Sequence, residues 1–295
     1  MFATLLGAYP PDPTATSADE AARDAIAEQE RAGLEPVTDG RGPVASGPDA
    51  VSAWRLASGS AGRAVKQALI GPMTGARATG EGPSAIADRL RETIDALAGA
   101  GCPLVEIDEP DIARLGDDPA AIKAFADAHR RLTAGVDGSI HLSLAVTGGN
   151  APESAAAALF DLPYASYAFD LIAGPDNWRL IALAPSDRGI VCGALDPSAA
   201  ADDRPEILIW AAHYAASTRG RGLDRVGLAN ASRLDHLTPE RARAKLHALG
   251  EAARLAAVES PDELAAALDP RAVDIRSAAL GRFDPLAPAS RRPRR

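Results

Sequence analysis

One pattern constrains this chain more than any other. Short runs of strand-forming residues, most ending near Gly, Pro or Asp, alternate with longer Ala-rich stretches of helical periodicity. Such alternation marks parallel βαβ units, because parallel neighbours need a crossover long enough to hold a helix. The strand-like runs cover residues 3–8, 35–38, 66–70, 104–107, 139–144, 166–171, 190–194 and 225–229, eight in all. Between them the spacing predicts helices over 86–100, 120–134, 205–218 and 239–257, the last opened by Thr238 as N-cap with Pro239 in the first turn. In the second of these, Ile122, Phe125, His129 and Leu132 recur at helical spacing and form one stripe to lie on a sheet.

Eight such repeats predict an α/β chain folded as a single (β/α)8 TIM barrel over residues 1–285. A basic, solvated and disordered tail, 286–295, is expected after it and ends in Arg291-Arg292-Pro293-Arg294-Arg295. A Gly- and Pro-rich loop over 42–48 and an extra strand candidate at 179–183 interrupt the count. With 46% hydrophobic and 24% charged residues the chain reads as globular, and its net charge of −9 argues against a nucleic-acid backbone as partner. It has neither an apolar run of membrane-spanning length nor a basic leader followed by an apolar stretch, so a cytoplasmic protein without membrane contact is expected. The two cysteines, Cys102 and Cys192, fall in strand and helix segments rather than in a disulfide framework.

In barrels of this kind chemistry gathers at the C-terminal ends of the strands. The residues read there are Tyr9, Asp39, Arg41, Thr74, Asp108, Glu109, His141, Ser143, Asp170, Asp196 and Asn230. The sharpest segment is Val105-Glu106-Ile107-Asp108-Glu109-Pro110, where a strand runs into adjacent carboxylates. Neighbouring side chains on a strand point to opposite faces, so one carboxylate is expected at the mouth and the other against a helix or an Arg. The plainer reading of Asp-Glu-Pro is a solvated turn. Trp54, Trp178 and Trp210 offer a stacking surface but read first as packing, and His129, His213, His236 and His247 as structural or exposed.

Ile107-Asp108-Glu109-Pro110 resembles the Ile-Asp-Glu-Pro signature of the cobalamin-independent methionine synthase family. Other segments follow in that family's order: Leu6-Gly7-Ala8-Tyr9-Pro10, Val37-Thr38-Asp39-Gly40, Gly71-Pro72-Met73-Thr74 and Gly193-Ala194-Leu195-Asp196. The resemblance implies the family's catalytic barrel alone and, as a candidate donor, methyltetrahydrofolate. It also implies a zinc held by a His-x-Cys pair on the fifth strand, a Glu on the sixth and a Cys on the eighth, which turns a substrate thiol into thiolate. Here His141-Leu142-Ser143 keeps the histidine but replaces the cysteine, Asp170 stands for the Glu, and residues 226–232 contain no cysteine. Two ordinary ligands are one short of a catalytic site, and Cys192 lies inside a strand, so no tightly held zinc is expected.

The family's glutamate for the homocysteine amino group corresponds to Arg41, which reverses the preference from ammonium to anion. The resemblance therefore implies His141, Asp108 and Asp170 as catalytic candidates. Arg41, Tyr9, Glu109, Ser143 and Asn230 are implied as substrate-binding, with His141, Asp108 and Arg41 facing one pocket. His141 as a satisfied core histidine and an Arg41–Asp108 ion pair are the competing readings. The implied function is a methyl or alkyl transferase acting on a small anionic or zwitterionic substrate without thiolate-held zinc. A metal-free decarboxylase or lyase, as in the related uroporphyrinogen decarboxylase barrels, and a noncatalytic ligand-binding barrel stand beside it. Partners expected are a small molecule and a second copy or a catalytic partner subunit.

Overall fold

The computed structural model describes residues 1–258 apart from Asp137 and Asp202. The expected tail and the barrel boundary at 285 lie outside the described residues. Seven parallel strands form one sheet: β1 (Phe2–Thr4), β2 (Lys66–Ile70), β3 (Leu104–Asp108), β4 (His141–Val146), β5 (Ser166–Asp170), β6 (Gly189–Leu195) and β7 (Val226–Asn230). Their order is β1-β7-β6-β5-β4-β3-β2, with every neighbouring pair parallel. Around them run α1 (Ala18–Arg31), α2 (Pro48–Ser60), α3 (Pro72–Thr79), α4 (Pro83–Gly99), α5 (Pro119–Thr133), α6 (Ala156–Phe160), α7 (Asn177–Leu183), α8 (Pro205–Ser217) and α9 (Pro239–Ala256). The architecture is α/β and TIM-like.

Among the described residues seven regular strands stand where eight are expected. Residues 35–38 make a single parallel bridge, Val37 to Val65, instead of a strand. The cause is local. Pro36 has no N–H to give, and the Gln29 side chain of α1 takes both ladder groups of Thr38, accepting from its N–H at 2.9 Å and donating to its carbonyl at 2.8 Å. The segment still spans the two sheet edges. Glu35 N donates to Ala3 O at 2.9 Å, Val37 N to Ala64 O at 2.9 Å, and Lys66 N to Val37 O at 3.0 Å.

The run at 3–8 is likewise shorter as a strand than expected. Leu6 takes its partners from the Asn230 side chain, which accepts from Leu6 N at 3.0 Å and donates to Leu6 O at 2.6 Å, so an amide stands in for the ladder. Residues 179–183 belong to helix α7, correcting the extra-strand expectation. The other expected helices form with ends displaced by a few residues, and Thr238 caps α9 by accepting from Arg241 N at 3.3 Å. The stripe on α5 is buried as expected, with Phe125, His129 and Leu132 fully enclosed and Ile122 at the margin.

The main core lies between the sheet and the helices, where Leu, Ile, Val and Ala from both layers interlock. The inner face is different. Leu6, Ala145, Ala168, Val191 and Ala229 form a separate small cluster with Phe2 beside it. The twofold alternation of each strand then assigns the other inner positions: Lys66 on β2, Glu106 and Asp108 on β3, His141 and Ser143 on β4, Ser166 and Asp170 on β5, and Gly189 on β6. Charged and small polar side chains therefore occupy both ends of the inner face, with apolar ones between. No helix among the described residues is long and apolar enough to cross a membrane.

Candidate functional site

A cavity of about 370 Å3 opens at the C-terminal end of the strands, between the loops after β1, β3, β4 and β7 and the loop around Arg41. Asp108, the last residue of β3, lies in its wall and accepts from Thr147 Oγ1 at 2.8 Å. Burial pushes the Asp108 carboxyl up to about 7. Glu106 and Glu109 add to the rise, while the Thr147 hydrogen bond and the charge of Lys66 oppose it. A carboxyl of that kind exchanges a proton near neutral pH.

Arg41 lines the same cavity, but its partner is Asp39 and not Asp108. Asp39 Oδ2 accepts from Arg41 Nε at 2.8 Å and from Nη2 at 2.7 Å, and Oδ1 accepts from Arg41 N at 3.0 Å. The loop carrying Arg41 is held by an antiparallel bridge to Ala8. Opposite stands Arg233, fixed by Asp235. Gly7 permits this approach: its φ is 72°, and a Cβ there would come within 3.0 Å of the Arg233 Cα.

Glu109 turns the other way, as the alternation requires. It is fully buried under α3 and accepts from Met73 N and Thr74 N, each at 2.8 Å, and from the Thr74 hydroxyl. A carboxylate at a helix N-terminus satisfies free N–H groups and meets the positive end of the helix dipole. Its other neighbour is His129, Nε2 to Oε2 3.3 Å, and His129 Nδ1 meets Tyr164 Oη at 2.6 Å. Gly71 is required here, since a Cβ would lie 2.5 Å from Glu109 Oε2. Glu109 is thus a helix anchor in this structure, which corrects the expectation that it lines the mouth.

Asp170 is also committed. Its carboxylate accepts from Ile172 N and Ala173 N at 2.9 Å and from Gly148 N at 3.3 Å, fixing the turn after β5. Asn230 joins β7 to the Leu6 segment, with Nδ2 also donating to Ser232 O at 2.7 Å. Tyr9 lies over a separate hollow between α1 and the Asp39–Arg41 loop. Its hydroxyl is buried without a hydrogen-bond partner among the described residues, and burial together with Glu28 pushes it up to about 12. The aromatic residues read as packing are packing: Trp54 Nε1 donates to Val65 O at 3.1 Å, and Trp178 and Trp210 meet Tyr214 on the outer helices.

The expectation that His141 shares the mouth with Asp108 and Arg41 is overturned. His141 opens β4 and Ser143 follows two residues later, so both belong to the N-terminal end of the sheet, where they line a second cavity. The strand begins at His141, whose N–H donates to Pro103 O at 2.9 Å, and runs on through Ala145 and Val146 to the Thr147-Gly148-Gly149 turn. The apolar run after Ser143 carried that information. His141 Nε2 meets Ser166 Oγ at 2.8 Å, and burial lowers the imidazole below the usual histidine range.

The residues present do not fit a zinc centre. His141 and Asp170 lie at opposite ends, Asp170 is occupied by three backbone N–H groups, and the next inner position on β4 after Ser143 is Ala145. Cys192 points outward against Ala211 O of α8, 3.7 Å away, where burial pushes its thiol up to about 12. Among the described residues no three His, Cys, Asp or Glu side chains group as metal ligands. Arg233 and Thr147 are the mouth residues that sequence reasoning missed. Thr147 follows β4 directly and Arg233 lies three residues beyond β7, so the loops after those strands are the signal that could have found them.

No protein-family model and no curated protein matches the chain. Solved structures do. A B12-independent methionine synthase from Shewanella sp. W3-18-1, in complex with selenomethionine, aligns with a TM-score of 0.72 at 16% identity, covering 90% of this chain and 98% of that one. A putative vitamin-B12 independent methionine synthase from Listeria monocytogenes aligns at 0.67 and 14%, covering 86% and 97%. A methyltransferase from Methanosarcina mazei aligns at 0.60 and 14%, covering 85% and 94%. The chain has the fold of these methionine synthase and methyltransferase structures, the fold expected from the ordered motifs. Fold alone does not carry substrate or chemistry across.

Proposed function

We propose that the C-terminal mouth is the working site of a methionine synthase-like methyl or alkyl transferase that acts on a small carboxylate-bearing substrate, anionic or zwitterionic, without thiolate-held zinc. The observation that carries this reading is Asp108: a carboxyl pushed up to about 7 in the wall of a cavity whose rim holds Arg41 and Arg233. Asp39 engages Arg41 through Nε and one terminal nitrogen, so the guanidinium is oriented while its other terminal nitrogen is left for a ligand. Asp108 would take or give the proton that accompanies transfer, within hydrogen-bond reach of a substrate anchored on the arginines. In this reading residues 35–38 are the irregular second strand of an eightfold barrel.

Methyltetrahydrofolate is the donor to test first. A metal-free lyase or decarboxylase is the second reading, and the same carboxyl favours it, because such reactions need a proton donor at neutral pH. The test is a methyl-transfer assay with 5-methyltetrahydrofolate and either homocysteine or carboxylate-bearing thiols, beside a binding screen of carboxylates. Homocysteine is expected to be a poor acceptor. Arg41→Glu should weaken carboxylate binding about 10- to 150-fold, the equivalent of losing one charge-assisted contact of roughly 1.5–3 kcal/mol. Efficient methionine formation without added metal would overturn the substrate argument, and carboxylate affinity unchanged in Arg41→Glu would overturn the role of the arginine.

A further inference from the structure

The N-terminal end of a TIM-like barrel ordinarily serves stability, and its interior is filled by layers of bulky branched side chains. Here that end holds a cavity of about 380 Å3, within the range of small-molecule sites. The inner positions that would fill it carry Lys66, Glu106, His141, Ser143, Ser166 and Gly189. Lys66 Nζ donates to Glu106 Oε2 at 2.7 Å, with the side chains only 1% and 5% exposed. A buried ion pair of this kind is commonly no better for stability than an apolar pair of similar size, so stability does not explain it.

Its valences are not exhausted. Among the described residues Lys66 uses one of three protons, and Glu106 Oε1 accepts no hydrogen bond. The His141–Ser166 contact lies beside the pair, and Phe2, Leu104 and Val191 supply apolar wall.

We propose that this cavity binds a small neutral molecule with an amide- or lactam-type head and a compact apolar body. The carbonyl of the head faces the Lys66 ammonium, its N–H faces Glu106 Oε1, and the body lies against Phe2, Leu104 and Val191. Neutrality follows from the pair itself. Lys66 and Glu106 already cancel, so a charged head would give up its hydration without finding an unspent counter-charge. The site is separate from the mouth and does not depend on the reaction assigned there.

The probes are benzamide and its two charged isosteres, benzoate and benzylamine, titrated into the full chain carrying labelled histidine and followed by NMR. Benzamide is expected to move the His141 ring resonances saturably in the millimolar range and to leave those of His129, His213, His236 and His247 in place. Benzoate and benzylamine should bind at least about tenfold more weakly, since each brings an unmatched charge. Ser143→Leu, which puts a side chain into the cavity, should abolish the benzamide shift while the circular dichroism spectrum stays that of the wild type. Comparable or tighter binding of either charged isostere to the wild-type chain overturns the proposal without any variant. So does a benzamide shift that never saturates up to its solubility limit, or one that survives in folded Ser143→Leu.

Discussion

At the N-terminal end of the sheet Lys66 and Glu106 are buried together and neutralise each other. At the C-terminal end Asp108 is enclosed with a hydroxyl as its hydrogen-bond partner, and among the described residues no Lys or Arg pairs with it. Burying a charge is costly in both places, and the two ends meet that cost differently. One cancels the charge with a partner of opposite sign. The other lets the carboxyl keep its proton until pH reaches about 7, which leaves a group able to exchange that proton at a cavity wall. Charge sequestered in a pair suits recognition, and charge held back by protonation suits reaction.

The comparison breaks most visibly if the pair is split. Lys66→Met leaves Glu106 buried without its partner and is expected to cost about 3–5 kcal/mol in urea denaturation at pH 7. Lys66→Met with Glu106→Leu should recover most of that loss. A cost for the single variant below about 1 kcal/mol would mean that water already reaches the pair.

Asp108→Asn probes the opposite end with the opposite sign. The folded-state pKa of Asp108, about 7, stands above its ordinary value of 3.8, so between these pH values the native state holds more protons than the unfolded chain. Stability is therefore fully present below about pH 4, declines as pH rises towards 7, and levels off beyond it. The amide removes this decline. At pH 8 the variant should be more stable than wild type by up to about 4 kcal/mol, an upper bound at 1.36 kcal/mol per tenfold, with the difference vanishing near pH 4. A smaller effect is expected of Asn230→Ala, which strips the N–H and carbonyl of Leu6 of their partners and should cost about 1–3 kcal/mol. Thermal melts compared with an outer-face Ser→Ala control check it.

The strand–helix alternation made the parallel sheet legible from sequence, and β2 matches its expected span, Lys66–Ile70, to the residue. Residues 35–38 were not, because the Gln29 amide takes the Thr38 ladder groups, a tertiary contact that no strand propensity anticipates. The Asp108/Glu109 division was readable from alternation alone. His141 misses the mouth for a different reason: the likeness of His-x-Ser to a family's His-x-Cys does not fix where the strand starts, and the apolar run Leu144-Ala145-Val146 carries β4 three residues past Ser143. Asp170 and Asn230 close their strands as expected, yet spend their polar atoms on backbone, while Tyr9 lies five residues beyond β1 and faces α1. Position along a strand can be read from sequence, but what a polar side chain is bonded to cannot.

The central claim is that Asp108 governs a carboxylate site at the mouth, and proton linkage tests it directly. A carboxylate ligand next to Asp108 binds better when Asp108 is protonated. The affinity of butyrate, measured by calorimetry from pH 6 to pH 8, is therefore expected to fall about tenfold in the wild-type protein, as protonated Asp108 drops from the major to the minor form. In Asp108→Asn it should stay flat over the same range. A wild-type affinity that does not change between pH 6 and pH 8, or a fall that persists in Asp108→Asn, contradicts the account.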